Sequence, residues 1–155
     1  MCAILDADVV SKVFGSGRSS TERPPVGVRF FQWIDSDNGQ LVIGGKVATE
    51  LRKNENFNRW AQQQMLAGQL PSFDKEAEAE THRLEKQKQS RQMHFASNDL
   101  HVLALARVSG ARLLYSEDRK LQRDFTQILQ GKVYSKVDHQ HLFKKKLCRK
   151  PPHRL

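Results

Sequence analysis

This 155-residue chain alternates between short apolar runs and longer stretches of mixed polarity. Four runs predict strands, because they are short and do not alternate cleanly, as is typical of a parallel sheet covered on both faces. They are residues 3–6 (AILD), 41–44 (LVIG), 112–116 (RLLYS) and 132–135 (KVYS). The stretches between them predict helices. The pattern indicates an α/β fold with a mainly parallel sheet of four to five strands, flanked by helices on both faces.

Polar start and stop signals bound several of the predicted helices. One helix has Ser97 or Asn98 as its cap, a nearly all-apolar body and Gly110 as its stop, so we expect it to be buried. The helix after the third strand is expected to be capped by Ser116. Residues 74–93 are polar almost all round, acidic early and basic late, which predicts an exposed helix whose charges complement its dipole.

Charge divides the chain into two parts. Residues 144–155 carry six of the 26 Lys and Arg residues and no acid, which leaves 20 basic and 17 acidic residues elsewhere. We therefore predict one domain over residues 1–143 and a basic tail over 144–155. Such a tail favours a polyanionic partner, most often nucleic acid, although a solubilising terminus has the same composition. The candidate RNA contacts are Lys144, Lys145, Lys146, Arg149 and Lys150.

The sequence also predicts what the protein lacks. No stretch approaches the roughly 20 apolar residues of a membrane span. The N-terminus has neither the positive region nor the apolar stretch of a signal peptide. The two cysteines, Cys2 and Cys148, do not have the spacing of zinc ligands. We therefore expect a cytoplasmic protein without membrane association.

Four acids fall where the predicted sheet would bring them together. Asp6 closes the first strand, and Glu50 lies one turn into the helix after the second. Asp99 opens the buried helix, and Asp118 follows the third strand by two residues. The carboxyl ends of parallel strands share one edge of a sheet, where ligands of α/β proteins bind. These four carboxylates are therefore expected to converge in one pocket.

Converging carboxylates repel one another unless a positive charge lies among them. Oxygen ligands favour Mg²⁺ or Mn²⁺, and one or two such ions could assist attack on a phosphodiester. Taken singly, Asp99 and Asp118 could be acids placed for the helix dipole, and Glu50 could face solvent. A metal site is thus predicted from the joint placement of the four acids and not from any one of them. For Asp8, we favour a helix cap over a supporting contact in the site.

The motifs ILDAD, VATEL, SNDLHVLALA and LLYSEDRKL together resemble those of PIN-domain ribonucleases, above all the VapC-type toxins of bacterial toxin–antitoxin pairs. The resemblance covers most of residues 1–143. It implies a metal-dependent endoribonuclease that cleaves single-stranded RNA with water activated by Mg²⁺ or Mn²⁺. It also implies inhibition by an antitoxin protein and, often, a homodimer.

The same resemblance implies a role for each acid. Asp6 and Asp99 would be the main metal ligands. Asp118 would bind directly or through water. Glu50 would orient or deprotonate the attacking water, or help to hold a second ion. Ser116 would contact a phosphate or cap its helix, and capping is the favoured role. The chain departs from the family at Asp8, where relatives often have Asn, and in its basic tail, which runs beyond the usual last strand.

Two other functions are compatible with parts of the sequence. LDADVV is similar to the first motif of haloacid-dehalogenase phosphatases, in which Asp6 would be the nucleophile and Asp8 the acid–base, although the usual Gly-Thr after it is missing. The chain could also be a non-catalytic module that binds RNA or a protein through its basic tail.

Overall fold

The computed structural model describes residues 2–17, 22–37 and 39–144. The described residues contain four strands, all parallel, in the order β2-β1-β3-β4. The strands are β1 (Cys2–Leu5), β2 (Gln40–Leu41), β3 (Leu113–Tyr115) and β4 (Lys132–Tyr134). The prediction of an α/β fold built on a parallel sheet is confirmed.

The helices lie in the three connections between the strands. Between β1 and β2 are α1 (Val10–Phe14) and α2 (Pro25–Asp35). Between β2 and β3 are α3 (Gly45–Leu51), α4 (Glu55–Leu66), α5 (Asp74–Gln89) and α6 (Leu100–Ser109). Between β3 and β4 is α7 (Arg119–Gln127). Two short 3₁₀ segments, Ala7–Val9 and Val137–Lys144, complete the described structure.

The strand order creates a crevice at the middle of the sheet. From β1 the chain moves outward to β2, whereas from β3 it moves in the opposite direction to β4. Right-handed crossovers then place α1 and α2 on one face and α3, α5 and α6 on the other. The packing agrees, since α1 contacts α2, and α6 contacts α3 and α5, whereas α4 packs against α1. The connections after β1 and β3 diverge, which leaves room for a ligand at their carboxyl ends.

Burial on both faces explains why the strands do not alternate in polarity. Ala3, Ile4 and Leu5 of β1 have no exposed surface, and the same is true of all three residues of β3. Residues with both neighbouring faces covered gain from apolar side chains at every position. The apolar run of residues 41–44 extends beyond β2. The pairing of β2 with β1 ends at Leu41, and Ile43 then forms a parallel bridge with Ser72.

Helix α4 was not among the predicted elements. It begins at an Asn54 cap, whose side chain accepts a hydrogen bond from the Phe57 N–H at 3.0 Å. It buries Phe57, Trp60 and Ala61 on one side. These apolar positions lie three and four residues apart, as on one face of a helix, but polar residues surround them and weaken the pattern.

The prediction of an exposed helix over residues 74–93 is partly wrong. Helix α5 ends at Gln89, and it packs against α6 instead of lying free in solvent. It buries Ala77 and Leu84, which is a narrow apolar stripe that the many charged residues obscure in the sequence. Glu80 accepts hydrogen bonds from Arg83 and also pairs with Arg107 of α6 at 3.3 Å.

The predictions about the tail remain predictions. Lys144 ends the last 3₁₀ segment, whereas Lys145, Lys146, Arg149 and Lys150 lie outside the described residues. The predicted boundary between the domain and the tail is likewise untested. Within the described ranges, no helix is long and apolar enough to cross a membrane.

Candidate acidic site

Asp6 lies at the mouth of the central crevice. It follows β1 directly, and its backbone N–H donates to the Tyr115 carbonyl of β3 at 3.0 Å, which fixes its position between the two strands. The residue is only 7% exposed. Burial, followed by the neighbouring Asp8 carboxyl, raises the pKa of Asp6 from 3.8 to about 6, although the hydrogen bond from Ser116 opposes the shift. The fold therefore holds a carboxylate where its charge is disfavoured.

The prediction that Ser116 caps α7 is wrong. The side chain is fully buried, and its hydroxyl donates to Asp6 Oδ2 at 2.8 Å while accepting from the Asp118 N–H at 3.1 Å. The cap is Asp118, whose Oδ1 accepts from the N–H groups of Lys120 and Leu121 at 2.9 and 3.2 Å. A carboxylate two residues later lies closer to the free N–H groups of the helix, so Ser116 is left to orient Asp6.

Asp99 occupies the cap position of α6, but its side chain makes no hydrogen bond to that helix. The carboxylate is half-buried, and it lies near enough to Asp6 and Asp118 to be affected by their charges. Burial, the charge of Asp6 and the Asp118 carboxyl raise its pKa, and the nearby His101 opposes the shift. The charges of Asp6 and Asp118 thus act on Asp99, which is consistent with the predicted convergence of these acids.

The predicted caps of α6, Ser97 and Asn98, have different partners. The Ser97 hydroxyl accepts from the Asp99 N–H at 2.9 Å, and the Asn98 side chain accepts from Lys88 Nζ at 2.8 Å. Both residues therefore shape the turn that precedes the helix. Their contacts hold the backbone of the turn from which Asp99 follows.

Asp124 of α7 holds the same turn from the other side, and sequence reasoning missed it. Its carboxylate is 4% exposed and accepts from the N–H groups of Ala96 and Ser97, at 2.9 and 2.8 Å. One helix therefore carries Asp118 at its start and, less than two turns later, anchors the turn that presents Asp99. The sequence signal was available, because Asp124 lies three residues after Leu121 and four before Ile128, on the apolar face.

Glu50 is joined to this group through a histidine. Its Oε2 lies 3.3 Å from His101 Nε2, and its Oε1 lies 3.8 Å from Lys46 Nζ. His101 is 5% exposed on α6 and contributes to the electrostatics at Asp99. Glu50 also lines an open cleft of about 530 Å³ with Lys53. A histidine inside an otherwise apolar helix was the sequence signal for this contact, and it was missed.

The favoured role of Asp8 as a helix cap is wrong. Helix α1 begins after Val9 and has no side-chain cap. Asp8 Oδ2 instead accepts from the Glu117 N–H at 3.0 Å, across the crevice. The residue is exposed overall, but desolvation of its carboxyl raises its pKa, and the charges of Glu117 and Asp118 add to the shift. Asp8 therefore belongs to the acidic edge and supports the turn after β3.

The charge of these acids is not neutralised within the described part of the chain. There, Asp6, Asp8, Asp99 and Asp118 form no ion pair with Lys, Arg or His. Their oxygen atoms are the donor type that Mg²⁺ and Mn²⁺ prefer, so the chemistry of the set fits such an ion.

The arrangement of these carboxylates fits a metal ion less well than their donor atoms do. Among the described residues, no group of three or more His, Cys, Asp or Glu side chains stands ready to hold a metal ion. Asp6 is fixed by Ser116, whereas Asp99 and Asp118 are half-buried at the edge of the crevice. Coordination by all three would therefore need the side chain of Asp99 or Asp118 to move toward Asp6.

No protein-family model matches the chain, and no curated protein matches it. Among solved structures, the chain is similar to VapBC2 from Rickettsia felis, crystallised with a DNA fragment from the VapBC2 promoter, with a TM-score of 0.49 and 15% sequence identity. The similarity covers 79% of this chain and 92% of that chain.

Proposed function

We propose that the protein is a metal-dependent endoribonuclease that cleaves single-stranded RNA. The supporting observation is the electrostatic effect of Asp6 and Asp118 on Asp99 where β1 and β3 diverge; the three carboxylates are buried or half-buried and form no ion pair with Lys, Arg or His among the described residues. Such a group is costly to the fold unless a ligand compensates it. A hard divalent cation matches the donors, and a phosphodiester matches the chemistry that such ions assist.

In this proposal, Asp6, Asp99 and Asp118 would hold the ion. When bound, Mg²⁺ or Mn²⁺ would supply the positive charge that the site lacks and would acidify a water molecule. Ser116 keeps Asp6 in place through its hydroxyl. Glu50 would take the proton of the attacking water, and His101 holds the Glu50 carboxylate beside the crevice.

The partner and the assembly belong to the proposal as well. The sequence resemblance to VapC-type toxins supports an antitoxin protein that covers the acidic crevice, and a homodimer. If so, a protein expressed from a neighbouring gene would bind the purified chain and suppress its ribonuclease activity. Size-exclusion chromatography with light scattering would report the oligomeric state.

The experiment that tests the proposal is cleavage of a labelled single-stranded RNA by the full chain with Mg²⁺ or Mn²⁺. Asp6→Asn and Asp99→Asn are expected to lower the cleavage rate on the order of 100–1000-fold, as is typical when one charged group of a site is removed. Asp138→Asn, at an exposed position, is the matched control and should leave the rate unchanged. A chelator should abolish cleavage by the wild type.

Two outcomes would contradict the proposal. Cleavage that persists in both variants, or in a chelator, removes the role of the acids or of the metal. Faster turnover of a small phosphate ester than of RNA, lost on substitution of Asp6 and of Asp8, would support the phosphohydrolase alternative. RNA binding that depends on the basic tail, without any cleavage, would support the non-catalytic module.

A further inference from the structure

A second feature of the surface lies next to the turn that presents Asp99. It is a pocket of about 340 Å³, lined by Lys88, Arg91, Met93, His94 and Phe95, which we call the basic pocket. Its volume lies at the lower end of the range that holds small ligands. The pocket combines cationic and hydrogen-bonding groups with apolar surface from Met93 and the largely buried Phe95.

The positive charge of the basic pocket is not neutralised locally. Residues 86–98 (KQKQSRQMHFASN) contain no acid, and within the described residues Lys88, Arg91 and His94 pair with no carboxylate. The helix dipole accounts for basic residues in the last turn of α5. It does not account for Arg91 and His94, because both follow the end of the helix at Gln89.

The backbone at Arg91 adds a second observation. Helix α5 ends in a Schellman motif, in which the N–H of Gln92 donates to Gln87 and the N–H of Arg91 donates to Lys88. This motif places Arg91 in the left-handed region, with φ of 57°. Glycine is the usual residue at that position, because a side chain there costs stability. The chain nevertheless carries an exposed arginine at the rim of the basic pocket.

The basic pocket is connected to the acidic site. Lys88 Nζ donates to the Asn98 side chain at 2.8 Å and lies 3.5 Å from the Ser97 carbonyl, so the pocket wall is tied to the residue before Asp99. Asp99 follows Phe95 by four positions, and four steps along an extended chain span at most ~14 Å. A chain-like ligand can therefore occupy the pocket and reach the acids.

We propose that the basic pocket binds one nucleotide of single-stranded RNA beside the acidic site, with Arg91 and His94 contacting its phosphate and Phe95 and Met93 facing its base. Cationic side chains next to apolar and aromatic surface are the usual means of binding single strands without strong sequence preference. The choice of RNA rests on the function proposed above. An acidic peptide would use the cations but would not need the apolar floor.

The test measures RNA binding as a function of salt. The full chain carries Asp6→Asn to prevent cleavage, and fluorescence anisotropy follows a labelled single-stranded RNA of about 12 nucleotides, within the usual site size of single-strand binders. Arg91→Gly removes the cation and relieves the left-handed backbone, so the protein should fold at least as well as its parent. Gln130→Gly is the matched control, because exposed Gln130 also has a positive φ, of 54°, after a helix.

We expect Arg91→Gly to weaken RNA binding roughly three- to tenfold near physiological salt and to reduce the slope of log K against log salt by about 0.7, as for one lost phosphate contact on a single strand. Gln130→Gly should leave both quantities unchanged. Equal slopes for the two variants would overturn the proposal, and so would competition by polyglutamate as effective as that by RNA.

The outcomes also separate this proposal from the function on which it rests. If the wild type does not cleave RNA but Arg91→Gly lowers the salt slope, the nuclease proposal fails and the pocket remains an RNA site. If the wild type cleaves RNA with the expected dependence on Asp6 while the slopes of Arg91→Gly and Gln130→Gly agree, the pocket proposal fails and the nuclease remains.

Discussion

Asp6 and Asp124 are both buried carboxylates, but the fold surrounds them in different ways. Asp124 has both oxygens occupied, because two backbone N–H groups donate to it at 2.9 and 2.8 Å. Asp6 accepts from the Ser116 hydroxyl at Oδ2 and from the backbone at Ala7, but burial and the neighbouring Asp8 carboxyl outweigh these bonds and raise its pKa. The first carboxylate has a backbone donor for each oxygen, whereas the hydrogen bonds of the second compensate its charge only in part.

The difference agrees with a structural role for Asp124 and with the ligand site proposed at Asp6. A buried charge with a full set of hydrogen bonds stabilises the local structure, and in this case it fixes the turn before Asp99. A buried charge that its hydrogen bonds compensate only in part lowers the stability of the fold, and under the proposed function a ligand would supply what is missing. The two acids should therefore respond in opposite directions to the same isosteric substitution.

The largest expected effect is at Asp124. Asp124→Asn keeps the size of the side chain but places an amide N–H against a backbone N–H, so one buried donor at Ala96 or Ser97 loses its acceptor. We expect the free energy of unfolding to fall by about 2–4 kcal/mol, from the loss of a charge-assisted hydrogen bond and the unsatisfied donor. Chemical denaturation at pH 7 measures this change.

The control for Asp124→Asn is Asp138→Asn, which removes one charge at an exposed position and should change stability by less than about 0.5 kcal/mol. If Asp124→Asn were as stable as this control, the two hydrogen bonds would not hold the turn. Asp124 would then have no stabilising role that distinguishes it from Asp6.

The next effect has the opposite sign. Asp6→Asn removes a charge that the fold disfavours, so in a chelator at pH 7 the variant should be more stable than the wild type by up to about 3 kcal/mol, the value that corresponds to a pKa shift from 3.8 to about 6. The same denaturation experiment measures it. A destabilised Asp6→Asn would mean that the ionised carboxylate is compensated after all.

The pH profile of stability checks the same cause independently. The folded state binds the Asp6 proton more tightly than the unfolded chain, so the contribution of this group is full below about pH 4 and is lost as pH rises to about 6. The difference in stability between Asp6→Asn and the wild type should therefore grow over this range and level off above it. Asp138→Asn should follow the wild type throughout.

A smaller effect is expected from the metal itself. Mg²⁺ or Mn²⁺ at ten times its dissociation constant should stabilise the wild type by about 1.4 kcal/mol, because it binds the folded state. Asp6→Asn should show little of this gain, whereas Asp138→Asn should show all of it. Thermal unfolding with and without a chelator is the measurement, and an equal response of Asp6→Asn and the wild type would place the ion elsewhere.

Residues at strand ends and helix starts were open to prediction from the sequence, whereas the roles of two residues inside helices were not. Asp6, Asp99 and Asp118 were predicted because strand ends and helix starts mark positions along the chain, and a parallel sheet brings such positions to one edge. Asp124 and His101 were missed because each lies inside a helix, where its role depends on which neighbour faces it across the fold. A pattern in one segment does not contain that information.

The errors at Ser116 and Asp8 have a related origin. Both were assigned to the nearest helix start, since caps are local and common. In the structure, Ser116 binds Asp6, 110 residues away in the sequence, and Asp8 binds the Glu117 N–H, 109 residues away. These contacts exist only because β1 and β3 are neighbours, so they follow from the strand order and not from the local pattern.

The smallest expected effect is at Asp8, and it tests where the acidic site ends. Asp8→Asn keeps an oxygen that can accept from the Glu117 N–H, as Asp8 Oδ2 does at 3.0 Å, and it removes one charge that raises the pKa of Asp6. The pKa of Asp6 should therefore fall, which moves the stability profile to lower pH. RNA cleavage should change by no more than about twofold, equivalent to roughly 0.5 kcal/mol. A loss of cleavage as large as that of Asp6→Asn would instead make Asp8 a ligand or a proton donor, because neither the lost charge nor the retained hydrogen bond accounts for it.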